Sequence, residues 1–200
     1  MGLMEARKPV KSAEPVVNRD ELAMRLNRMQ QTLAHITHGF KFSNEWAQGV
    51  VVAAKKMAQD ARDQAIHDGE TPTVTPKDMA AEIVGTALRN KLPDGVVIDE
   101  IRYLTAEYQK HKATDPEDPM DYIEHSDFLS FMQAQIKVAK TFTGIDASRP
   151  ASFLPFVNEM ENCLHVYAMD SQDEELRWSS ELQEALTKLV PFLIFVLRSI

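Results

Sequence analysis

Leu189-Val190-Pro191-Phe192-Leu193-Ile194-Phe195-Val196-Leu197-Arg198-Ser199-Ile200 carries nine consecutive residues without a polar side chain, from Leu189 to Leu197. Burying one large apolar side chain is worth about 1.5–3 kcal/mol, so such a run must be covered by something. The pattern extends upstream. Leu182, Leu186, Leu189, Leu193, Val196 and Ile200 recur at spacings of 4, 3, 4, 3 and 4, a helical seam. Before Lys188 the other faces of this helix are polar, at Glu181, Gln183, Glu184 and Thr187; beyond it the helix is apolar all round. Ser171 with Glu174 reads as a capping box that opens the helix. Pro191 removes one helical hydrogen bond and is expected to kink the helix near Thr187. Nine apolar residues are too few to cross a bilayer, which takes about 20.

Outward from this seam, the same 3.6-residue period recurs through the chain. Asn18 and Glu21 form a capping box ahead of Leu22, Leu26, Met29, Leu33 and Ile36, and Gly39 stops that helix. A second helix follows Ser43 and ends near His67 at Gly69. Trp46, Val50, Ala53, Met57, Ala61 and Ala65 line one of its faces, where the small alanines would let another helix approach closely. Thr75 caps a third helix with Pro76 at its first position, burying Met79, Ile83, Ala87 and Leu88. After the turn Pro93-Asp94-Gly95, a fourth is read through Val97, Ile101, Leu104 and Tyr108, with a short strand at Val96–Ile98 as the alternative. Residues 113–119 are a loop, and Ser126 caps a fifth helix that buries Leu129, Met132, Ile136 and Ala139 and ends at Gly144. Phe153, Val157, Met160, Leu164 and Tyr167 mark a sixth, with Pro155 in its first turn. The expected fold is therefore all-α: a single-domain bundle of about seven helices over residues 18–200, preceded by a flexible arm at residues 1–17.

Composition sets the remaining bounds. Two hundred residues at 44% hydrophobic and 26% charged suit one globular domain. One cysteine, Cys163, excludes an internal disulfide and gives a reducing, cytoplasmic compartment as the default. Residues 1–9 show no apolar signal segment, and Ala6 spoils the match of Gly2 to a myristoylation motif. The expectation is a soluble intracellular chain. Its net charge of −8 is uneven: residues 1–113 hold 16 basic and 15 acidic side chains, and residues 114–184 hold 4 and 15. That balance argues against nucleic-acid binding over the whole surface.

No motif for a cofactor, catalytic triad or phosphate loop is present, so no cofactor is expected. His35 and His38 have a spacing that could share a metal but lack further local ligands; at a helix end they serve the dipole. The acidic run Asp115, Glu117, Asp118, Asp121, Glu124, His125 and Asp127 lacks the calcium-loop pattern and reads as solvated loop. Cys163 and His165 point to different sides of one helix, which leaves Cys163 a buried, inert thiol. Arg7, Lys8, Lys11, Arg19, Arg25 and Arg28, with Lys55, Lys56 and Arg62, form a sparse basic set near Phe40 and Phe42 that could engage nucleic acid.

These readings converge on a non-enzymatic helical structural subunit, coat-like or scaffold-like, that forms homo-oligomers. Leu189, Phe192, Leu193, Phe195, Val196 and Ile200 are its candidate interface, the alternative being that the chain's own core covers them. Removing residues 189–200 is then expected to abolish assembly and leave helical structure. Two other classes stay open: an adaptor that binds another protein through a helical groove, and an enzyme whose site gathers His35, His38, His125 and Asp121.

Overall fold

The computed structural model describes residues 16–36, 40–89, 119–169 and 178–200, together with single positions at Asp99, Arg102, Tyr103 and Ala106; at 119–128 it describes the backbone alone. Among the described residues there are six α-helices and no strand: α1 (Arg19–Ile36), α2 (Asn44–His67), α3 (Pro76–Arg89), α4 (Pro119–Lys140), α5 (Leu154–Met169) and α6 (Ser180–Ser199). Short 3₁₀ turns, Phe142–Gly144 and Pro150–Phe153, link α4 to α5. The arm at 1–15, the helix stop at Gly39, the helix-or-strand reading of Val96–Tyr108 and the Ser171–Glu174 capping box lie outside the described residues, apart from the four single positions, of which all are helical.

Local chemistry sets the ends of these helices. The side chain of Asn18 accepts the N–H groups of Asp20 and Glu21, satisfying two otherwise free donors at the start of α1. Thr75 accepts the N–H of Asp78 and donates its own hydroxyl proton to the Asp78 carboxylate, which closes the start of α3. Gly69 ends α2 with φ at +80°, a conformation that costs a side-chain-bearing residue strain.

Two starts differ from the sequence reading. Helix α4 begins at Pro119, so Ser126 lies inside it rather than capping it. Proline is favoured in the first helical turn because its missing N–H would have no helical partner there. Helix α6 begins at Ser180, where the hydroxyl of Ser179 accepts the N–H of Leu182.

α6 is the core element. Twelve of its residues are buried, including Leu182, Leu186, Leu189, Phe192 and Leu193. It packs against α1 and α2, α3 packs on α2, and α4 pairs with α5. Direction follows from a few contacts. Arg19, first in α1, reaches the carbonyls of Val196 and Leu197 at the end of α6, so α1 runs antiparallel to it. α2 starts beside Thr187 and passes Ser199 and Ile200 at Lys55 and Gln59, so it runs parallel to α6 and continues beyond its end.

The seams of α1 and α5 bury as their spacing requires: Leu22, Leu26, Met29 and Leu33 in the first, Phe153, Val157 and Met160 leading into and along the second. In α3 the buried positions among the described residues are Ala80, Ala81 and Gly85, with Met79 and Ile83 only half-buried; the side chains of Ala87 and Leu88 lie outside the described residues. In α2 the buried row is Ala47, Val51, Ala54 and Ala58, one row over from the face the sequence suggested. A helix this rich in alanine and valine offers two apolar rows, and the helices packed on it, α6 and α3, bury only one of them.

Candidate functional site

The C-terminal apolar residues resolve first. Leu189, Phe192, Leu193 and Val196 have no exposed surface, and Phe195 and Ile200 are half-buried against the same core. Their cover comes from the chain itself. Phe192 stacks on Trp46 of α2 at 6.0 Å between ring centroids. Within the single chain those four side chains have no exposed area, whereas Phe195 and Ile200 keep part of theirs. α6 also runs unbroken through Pro191.

The basic set divides in the same way. Arg7, Lys8 and Lys11 lie outside the described residues. Arg19 spends its guanidinium on two α6 carbonyls, at 3.1 and 3.0 Å, where a cation also complements the helix dipole. Arg25 forks onto both carboxylate oxygens of Glu161, at 2.8 and 2.7 Å, and onto Asn158 at 2.9 Å, tying α1 to α5. That hydrogen bonding, against a smaller opposing effect of burial, holds the Glu161 carboxyl below its ordinary range and raises the Arg25 guanidinium. Arg28, Lys55, Lys56 and Arg62 remain exposed. Phe40 is buried with its ring edge-on to Trp178 at 5.4 Å, and Phe42 stacks on Phe40 at 6.0 Å. The pair that could have stacked on bases is core packing.

Of the residues named for an enzyme site, only His35 has a described side chain. His35 is exposed in the last turn of α1, His38 lies outside the described residues, and Asp121 and His125 are described only as α4 backbone. Among the described residues no three histidine, cysteine or acidic side chains are grouped as metal ligands would be. Cys163 is fully buried, and desolvation pushes its thiol far above the ordinary range, which keeps it protonated and unreactive.

A cavity of about 240 Å³ opens between α2, α3 and the end of α6, lined by Lys55, Gln59, Lys77 and Ser199 among others. Its two lysines are exposed to solvent.

Three of the exposed large apolar side chains, Val52, Met57 and Ile66, lie on α2. Gly49, Ala53, Met57 and Ala61, each four residues from the last, form an exposed row; Met57 keeps 57% of its surface in solvent, and the space beside Gly49 is open. Lys56 and Asp60 border the row, both exposed. Val52 and Ile66 add exposed apolar side chains elsewhere on the same helix, and no residue of α2 after Ala58 is buried. Sequence spacing did mark Ala53, Met57 and Ala61 as one helix face; what it could not give was that α6 would cover the neighbouring row.

No family model, curated protein or solved structure matches the chain. Among the described residues no helix is long and apolar enough to cross a membrane.

Proposed function

We propose that the chain is a non-catalytic helical subunit that assembles with copies of itself, in the manner of a coat-like or scaffold protein. The supporting observation is the second apolar face of α2: Ala53, Met57 and Ala61 stand in solvent along a helix whose other apolar row fills the core. An apolar helix face left open after folding has a natural use in packing against a further helix. On this reading the assembly surface is α2 rather than the C-terminal helix.

Sedimentation of the intact chain over a wide concentration range, at low and high ionic strength, tests the reading. A mass that rises with concentration is expected. A monomer throughout would end it, and a monomer that instead bound a different protein through α2 would favour the adaptor alternative.

A further inference from the structure

We infer that the open face of α2 receives the same face of a second copy of this chain, in a two-fold antiparallel contact centred at Met57. The inference rests on the self-association reading and gives it a site and a geometry.

Three observations carry it. First, Gly49, Ala53, Met57 and Ala61 form a ridge of the i, i+4 kind, and ridges of this kind interdigitate in the commonest class of helix packing. Small residues on both sides of Met57 let two backbones approach closely, and among the described residues nothing lies within 4 Å of a Cβ placed at Gly49.

Second, the charges bordering the ridge complement themselves. Lys56 and Asp60 lie on the same flank. In an antiparallel two-fold contact a flank meets the same flank of its copy, so Lys56 of each chain comes beside Asp60 of the other, and these two attractive pairs outnumber the single Lys56–Lys56 approach at the same axial offset. A partner of strong single charge would find no such match.

Third, α2 as a whole is balanced, with Lys55, Lys56 and Arg62 against Glu45, Asp60 and Asp63. Two copies can meet along it without net repulsion, whereas the acidic span at 114–184 would repel its own image. The occupant that fits is thus a second copy, joined through α2.

The test uses the full chain with Cys163→Ala, so that an added cysteine is the sole thiol. In that background Met57→Cys is expected to form a disulfide-linked dimer rapidly under mild oxidation, while Met24→Cys on α1 remains monomeric. In sedimentation, Met57→Asp should weaken dimerisation at least tenfold. Lys56→Glu should weaken it several-fold, and the charge swap Lys56→Glu with Asp60→Lys should restore it, which a mere loss of folding would not. Dimers that persist unchanged in Met57→Asp, with no cross-link at residue 57, would overturn this site and leave self-association standing. A strictly monomeric parent chain would overturn both.

Discussion

The backbone N–H of Ser43 donates to the carbonyl oxygen of Thr187 at 2.9 Å. That carbonyl lies four residues before Pro191, which has no N–H to give it, so the loss inside α6 is made good from outside the helix. The same bond satisfies a donor at the start of α2, where the Ser43 side chain makes no cap. A proline that would weaken an isolated helix here fixes where α2 begins against α6.

A double-mutant cycle tests this pairing. Ser43→Pro removes the donor and is expected to cost about 1–3 kcal/mol by leaving the Thr187 carbonyl unsatisfied. In a Pro191→Ala background the helix supplies its own N–H, and the same substitution should cost distinctly less. Equal costs in chemical denaturation would show that the carbonyl does not depend on Ser43.

Arg19→Ala should destabilise the fold by about 1–2 kcal/mol, since two charge-assisted bonds to the end of α6 are lost from a partly exposed site. Arg19→Lys should recover only part of this, because an ammonium lacks the planar fork. Hydrogen exchange should localise the effect, with faster exchange in the last turn of α6.

Gln135 is fully buried, and its side-chain carbonyl accepts the N–H of Ser179 at 2.8 Å. It thereby joins α4 to the N-cap of α6. Gln135→Leu keeps much of the volume and removes the acceptor, so a loss of about 1–3 kcal/mol is expected in thermal or urea unfolding. No loss would mean that Ser179 finds its partner elsewhere.

The Arg25–Glu161 contact gives a pH dependence with a fixed sign. Glu161 titrates below its ordinary range in the folded chain, so its contribution is present above the unfolded carboxylate range and is lost as pH falls through the folded value. Because the pair is partly exposed, that contribution is about 1 kcal/mol or less. The stability difference between the parent and Glu161→Gln should be positive at neutral pH and shrink toward zero in acid. A difference that stayed constant into acid would exclude the ion pair as its source.

Truncation after Lys188 now carries a different expectation from the one the sequence suggested. It removes Leu189, Phe192, Leu193 and Val196 from the centre of the core, so cooperative unfolding and the near-ultraviolet signal of packed aromatics should both vanish. A truncated chain that still unfolded cooperatively, and lost only its oligomers, would return the interface to the C-terminal helix.

What was legible in the sequence was local. Asn18 and Thr75 announce helix starts because their side chains bond to N–H groups only two or three residues away. The α1 seam reads correctly because Leu22, Leu26, Met29 and Leu33 leave no competing apolar row. In α2, by contrast, Ala53–Met57–Ala61 and Ala54–Ala58 are equally good rows by spacing, and the choice belongs to α6, more than a hundred residues away. The cover over Leu189–Leu197 is non-local in the same sense. Arg19 and Arg25 read as free cations because the carbonyls and carboxylate that engage them lie 133 to 178 residues further on.

That last separation has a kinetic consequence. Of the six described helices, the one at the centre of the core is synthesised after the other five, so α1 and α2 must wait for a main packing surface. At typical synthesis rates of about 5–20 residues per second, that wait is roughly 10–30 s. Contacts such as Arg19 to Leu197 raise the contact order of a helical protein, and slow its folding accordingly. During the interval both apolar rows of α2 stand open, and only the inner one is later withdrawn from solvent.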